Sequence, residues 1–223
     1  VSGSGERGFS LVEVMIVMML GLFIIAAVAG VYVSSARSAS FTDGLLGLQE
    51  NGRFGVSTLQ RGLRMAGYSA GYRLEAIDMS ASGPDTIAVR LRQSHDCNGV
   101  STGADGIALN VYAHDAVMRT ITCTDDGPGA TPMPIVEQVD ALRVLYGIDS
   151  DGDGVPERYV PHAPTLDSAQ VSSLRFALLI DSGTPIRDRI ESTSHVLLDR
   201  LVEREDRLLR AVFTGTVALR NRH

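Results

Sequence analysis

An unbroken apolar run near the start of the chain limits what the rest of it can be. Residues 8–33 read GFSLVEVMIVMMLGLFIIAAVAGVYV, and their only charge is Glu13. From Val14 to Val33 the sole ionisable side chain is Tyr32, which is neutral at pH 7. That stretch forms enough helix to cross the hydrocarbon core of a bilayer. A secretory signal peptide has a basic start, a shorter apolar stretch and a small-residue cleavage site. Here the apolar run passes through the Ala26–Ala29 segment and continues to Val33, so a retained membrane helix fits better. A lone carboxylate near the end of such a helix costs on the order of a few kcal/mol to insert without a partner, which marks Glu13 as functional.

The hexapeptide Gly8-Phe9-Ser10-Leu11-Val12-Glu13, followed at once by the apolar helix, resembles the type III signal of type IV pilins and type II secretion pseudopilins. The resemblance implies that a prepilin peptidase cuts after Gly8, that the new terminus at Phe9 is N-methylated, and that Glu13 is retained. The freed α-amino group is cationic at neutral pH. Pairing it with Glu13 of a neighbouring helix satisfies two charges in apolar surroundings and sets axial register.

The stretch Leu48-Gln49-Glu50-Asn51-Gly52-Arg53-Phe54, running on to Leu63-Arg64-Met65-Ala66-Gly67-Tyr68, is similar to PilW-type minor pilins of type IV pili. Val212 to Asn221 is similar to that family's final strand. Gly55 and Gly62 depart from the pattern, standing where alanine or an acidic residue is expected.

The implied function is a minor pilin that primes assembly of a type IV pilus or caps it, supporting motility and adhesion, without catalysis. The implied partners are other minor pilins, the major pilin, the prepilin peptidase and a tip adhesin. The chain would sit in the bacterial inner membrane as a single-pass protein with a periplasmic head, then in the surface pilus. A J-type pseudopilin of type II secretion is the alternative within the resemblance, and a single-span membrane-anchored periplasmic enzyme is the alternative from another class. The chain starts at Val1 rather than Met, so a truncated or altered leader is expected.

The helix is expected to run on beyond the membrane. Leu45, Leu48, Leu59 and Leu63, with Phe54 and Val56 between, recur at near-helical spacing, and no proline precedes Pro84. A helix from Phe9 to about Met65, stopped by Gly67 and Gly71, is roughly 85 Å long. Seven glycines from Gly44 to Gly71 oppose it, at about 1 kcal/mol each against alanine in a helix interior. Gly21 and Gly30 raise the same question, with close helix packing, local melting and simple tolerance all open.

Beyond Gly71 the pattern becomes strand-like. Segments 86–92, 106–112, 117–123, 139–148, 171–180 and 211–220 are short, apolar and bounded by turn residues. His114-Asp115-Ala116 reads as a tight turn that pairs the second and third strands antiparallel. Residues 193–209 fit either a helix or a strand plus loop. The expected class is α+β: a long N-terminal helical spine packed on an antiparallel sheet. Its parts are a leader at 1–8, a helix at 9–66 that crosses the membrane at about 9–33, and a β-rich head at 67–223.

The chain has 223 residues and a formal charge of −6, which argues against a broad surface for nucleic acid. Arg200, Arg204, Arg207 and Arg210 are interleaved with Glu203, Glu205 and Asp206, which reads as a solvated mixed-charge surface. Cys97 and Cys123 are the only cysteines, and in an exported protein they are expected to form a disulfide. Closing that loop stabilises by roughly 3–4 kcal/mol. Asp149-Ser150-Asp151-Gly152-Asp153-Gly154, with Glu157 just beyond, matches the first half of a D-x-D-x-D-G calcium loop. Val160 stands where an EF-hand carries its closing glutamate, so the alternative is an ordinary Asp/Gly hairpin turn. The His95-Asp96 and His114-Asp115 pairs read as surface turns, and no hydrolase, zincin or phosphate-loop motif accompanies them.

Overall fold

The computed structural model describes residues 8, 10–69, 71, 73–125 and 130–221. Helix α1 runs over Leu11–Arg64 without interruption, as the absence of proline allows. The chain divides into two compact units, Val1–Asp43 and Gly44–His223, so the last part of α1 belongs with the head.

The end of α1 is capped by distant parts of the chain. Met65 and Ala66 donate to Gly62 and Leu63, a tighter i−3 pattern that closes the last turn. Gly67 then takes φ +76°, and a side chain there would meet the Asn221 carbonyl at 2.7 Å. Asn221 Nδ2 donates to the orphan carbonyl of Arg64 at 3.3 Å, and the Gly67 N–H goes to the Arg90 carbonyl at 2.8 Å.

The rest of the head is antiparallel sheet. One sheet has the order β1-β2-β3-β4, with β1 Thr86–Arg92, β2 Ile107–Asp115, β3 Thr120–Thr124 and β4 Met133–Val136. The other has the order β10-β7-β5-β6, from β5 Val139–Ile148, β6 Arg158–Pro161, β7 Val171–Asp181 and β10 Arg210–Ala218. A hairpin of β8 Glu191–Leu197 and β9 Arg200–Asp206 completes it. The two sheets are stitched at their seam. Val139 donates to the Arg119 carbonyl at 2.8 Å, His114 Nε2 donates to the Val139 carbonyl at 2.9 Å, and Val144 donates to the Pro84 carbonyl at 3.1 Å.

Three expectations change. Residues 193–209 resolve into the β8–β9 hairpin, turned at Leu198 with φ +57°. Its inward Leu197 and Val202 cover Ala141, Ala177 and Leu179 on the second sheet, a pattern with the period of a strand. The turn between β2 and β3 lies at residues 116–119 rather than at 114–116. Asp115 Oδ1 accepts from Val117 and Met118, both at 2.9 Å, and His114 is a half-buried strand residue rather than a surface turn residue. The third change concerns the arginines of β9 and β10. Arg210 is buried in an ion-pair network instead of solvated, with only 3% of its side chain exposed.

The helix glycines have a packing reason. Leu48, Gly52, Gly55, Leu59 and Leu63 form one buried face of α1, spaced three and four apart. A Cβ on Gly52 would lie 2.3 Å from the Phe213 ring of β10, and one on Gly62 2.3 Å from the Tyr112 hydroxyl of β2. On Gly55 it would meet Val136 of β4 and Leu178 of β7, both at 3.0 Å. Large side chains from both sheets therefore seat directly on the helix backbone. The helix tolerates the loss of intrinsic propensity because the close approach returns packing. Gly55 and Gly62, the departures from the resemblance, are two of these seats.

Gly47 is exposed, and a Cβ added there would meet nothing within 4 Å, which sets up a matched pair. Gly47→Ala is expected to stabilise the full chain in detergent by roughly 0.5–1 kcal/mol. Gly52→Ala is expected to destabilise it by about 1–3 kcal/mol through overpacking against Phe213. Chemical denaturation of both variants checks the opposite signs.

Candidate functional site

The amino-terminal segment is built from very few parts. Gly8 is exposed and outside regular structure, and Phe9 lies outside the described residues, as do residues 1–7. The Ser10 carbonyl accepts from Val14 at 3.2 Å, and α1 opens at Leu11. Glu13 sits exposed in the first helical turn, where a carboxylate complements the positive end of the helix dipole. The helix contains a window of mean hydropathy 2.8, none of it buried within the chain. Leu11, Met15, Met18, Leu22, Phe23 and Ile25 are each more than half exposed. So continuous an apolar surface needs lipid or other helices around it. A Cβ on Gly21 or Gly30 would meet nothing within 4 Å, so among the described residues no packing accounts for them.

The aspartate loop joins β5 to β6. Asp149 is buried, and its Oδ1 and Oδ2 accept from Gly152 and Gly154 at 2.7 and 2.9 Å. Asp151 and Asp153 accept from the residues two further on, Asp153 and Val155, at 3.2 and 2.7 Å. Gly152 and Gly154 supply the left-handed backbone, at φ +80° and +91°, that folds these turns back on themselves. Glu157 Oε2 accepts from the Ser150 N–H at 2.9 Å, which holds its carboxyl below the ordinary glutamate range. One ligand atom from each of Asp149, Asp151, Asp153 and Glu157 lies within 4.8 Å of the others. Val160 pairs with Tyr146 inside β6, so Glu157 is the acid nearest to closing the loop. The donor set is all hard oxygen, which suits a divalent cation such as Ca²⁺.

Cys97 and Cys123 are joined as a disulfide, tying the segment after β1 to β3 with Cα atoms 6.2 Å apart. Cys97 also donates its backbone N–H to Asn110 Oδ1 at 3.0 Å.

Charge pairs that sequence reasoning missed fasten the β8–β9 hairpin. Asp140 Oδ2 accepts from Arg204 Nε and Arg210 Nε, each at 2.8 Å. Arg210 also reaches Asp206 with two bonds, at 2.8 and 2.5 Å. At the hairpin turn, Arg143 grips Asp199 through a fork of two 2.6 Å bonds. Arg119, in the left-handed region at φ +53°, pairs with the fully buried Asp181. Only the alternation of acids and arginines in 199–210 hints at these pairs, and that alternation does not say which charges face inward.

Residues 100–221 match the family model of the type IV pilus-assembly protein W. The chain belongs to that family. Residues 3–29 match the prokaryotic N-terminal methylation motif. No curated protein matches the chain in sequence. Among solved structures, the type IV-like pilin TTHA1219 from Thermus thermophilus aligns at 18% identity and TM-score 0.47, over 78% of this chain and 97% of that one. A type IV pilus-assembly W protein with a methylation-type signal is a minor pilin that acts in pilus biogenesis. The signal and the apolar helix together indicate membrane anchoring and association with a pilus.

The hydrogen bonds from Arg210 hold the Asp206 carboxyl down at about 2, against 3.8 ordinarily. A depressed carboxylate contributes stability above its unfolded value and loses it as pH falls through the folded one. This contribution is therefore present above about pH 4 and disappears towards pH 2. Asp206→Asn is expected to lower the melting temperature at pH 6 and to flatten its fall on acidification, which a series of thermal melts will measure.

Proposed function

We propose that this W-family protein is a non-catalytic minor pilin that primes or caps a type IV pilus. The peptidase removes the leader after Gly8, and the freed amine of Phe9 is methylated. The helix then waits in the inner membrane with its head in the periplasm. Assembly begins when Glu13 of one subunit meets the terminal amine of a neighbour, and other minor pilins and the major pilin are the partners. A tip adhesin is a further partner of the head. The observation that carries the reading is Glu13 itself. It is the only charge between Gly8 and Arg37, and it stands in the first turn of α1, beside an apolar stretch that is unburied within the chain. Within a bundle of such helices an unpaired carboxylate is strongly disfavoured, so the pairing selects both partner and register.

Mass spectrometry of sheared surface filaments and of residual membranes tests this. The expected result is a peptide beginning at methylated Phe9 in the filaments. The same peptide confined to membranes would point to a secretion pseudopilin, and an uncut terminus in both would defeat the pilin reading. Glu13→Ala should leave membrane insertion intact and lower incorporation into filaments by about tenfold or more, the scale of losing a partner for a buried charge.

The aspartate loop adds a second proposal: Asp149, Asp151, Asp153 and Glu157 hold one Ca²⁺. Mutual repulsion among four carboxylates in so small a space favours a bound cation. Calorimetric titration of the full chain with Ca²⁺ should show heat and a raised melting temperature, both lost in Asp151→Ala. Absence of heat with wild-type protein removes the metal from the account.

A further inference from the structure

Most of the exposed sheet edges in the head are paired, covered or broken. The free side of β1 bonds to the incoming chain: Arg90 donates to Ala76 at 3.1 Å, Asp78 to Ala88 at 3.0 Å, and Arg92 to Tyr68 at 2.7 Å. β4 contains Pro134 and follows Pro132, and β6 is four residues long and ends in Pro161. β9 carries Arg200, Glu203, Arg204, Glu205 and Asp206 within its seven residues, and β8 lies against β7 and β10. These are the usual devices that keep an edge from recruiting another strand.

β10 has none of them. Between Ala211 and Leu219 it has no proline, no charge and no break in register with β7. The direction of its backbone groups follows from the bonds at its two ends. Ser182 donates to the Leu209 carbonyl at 2.9 Å and Leu219 donates to the Ser172 carbonyl at 2.8 Å. Residues 209 and 219 therefore face β7, and with an unshifted register so do 211, 213, 215 and 217. The alternate residues point their N–H and C=O groups off the sheet. Thr214, Thr216 and Ala218 are the exposed ones, and among the described residues nothing bonds to their backbone.

From this we infer that the outer edge of β10 at Thr214–Ala218 is an assembly surface that accepts an extended strand from a different subunit. A row of alternating donors and acceptors at strand spacing is matched only by another strand. The small side chains there, Thr214, Thr216 and Ala218 with Gly215 between, offer no bulk against a neighbour. The charge around the edge selects the occupant. Arg220 stands exposed just past the strand, while β10 carries no carboxylate. A second copy of β10 would bring Arg220 no carboxylate. An extended segment with small or β-branched residues and a carboxylate beyond its end fits instead.

This inference rests on the pilus-assembly reading, and the test separates the two. Proline at position 214 removes an outward N–H while leaving the ladder to β7 intact, a substitution that edge strands tolerate. Wild type, Thr214→Pro and Thr214→Val are expressed as full-length chains in the native host, solubilised in detergent and immunoprecipitated. Co-purifying proteins that carry a methylated pilin terminus are then quantified by mass spectrometry. Thr214→Pro is expected to keep its melting temperature and the slow amide exchange of Phe213 and Gly215, yet to lose about tenfold or more of those partners, and Thr214→Val to retain them. In the wild-type complex the amides of Thr214, Thr216 and Ala218 should exchange more slowly than in the isolated chain. Undiminished partners with Thr214→Pro, unchanged exchange at those amides, or a homodimer that Thr214→Pro abolishes would each overturn the inference alone. Wild-type protein that brings down no pilin-signal protein would overturn the assembly reading and this inference with it.

Discussion

The head is organised by the close approach of side chains from two sheets to one face of α1. Phe213 seats on Gly52, Val136 and Leu178 on Gly55, and Tyr112 against Gly62. Those contacts come from β10, β4, β7 and β2, so a single helical face gathers strands from both sheets. Glycine at the contact points lets aromatic rings reach the helix backbone, where dispersion contacts are dense. The rest of the core, from Leu48 to Leu219, forms around that line.

The second sheet then needs a cover on its other face, because β7 is buried along nearly its whole length. The β8–β9 hairpin supplies it with Leu197 and Val202, and ion pairs hold it there. Asp140 bridges two arginines, Arg210 bridges two carboxylates, and Arg143 clasps the turn at Asp199. Each partly buried charge has a partner, which is the condition for placing charge near a core without a large desolvation penalty. Polar fastening over a small apolar patch therefore holds the hairpin in place.

These arrangements separate the work of the two ends of the chain. In the proposed function the apolar start carries processing and entry into a helical bundle, through Gly8, Phe9 and Glu13. The head is a scaffold braced by the partly buried Cys97–Cys123 bridge, with the aspartate loop and the open edge of β10 at its surface. Asn221 links the last strand back to the end of α1, so the closing residues of the chain help terminate the helix that began it.

Sequence alone determined the features that depend on local composition and order. The apolar run, the pilin-type signal, the continuous helix, most strands, the cysteine pair and the alternating aspartates could all be read directly, because each is a short-range pattern of polarity or spacing. Residues 193–209 read two ways because Val196, Leu197, Leu201, Leu208 and Leu209 suit more than one period until a surface exists for them to cover. The helix glycines read as defects, since the rings that fill their space lie tens to more than a hundred residues away in sequence. Only the tertiary structure decided which arginines of 200–210 are buried, that His114 bridges the two sheets, and which backbone groups of β10 face outward. Those outcomes follow from long-range register and from which faces meet, and neither is written in any local stretch of the chain.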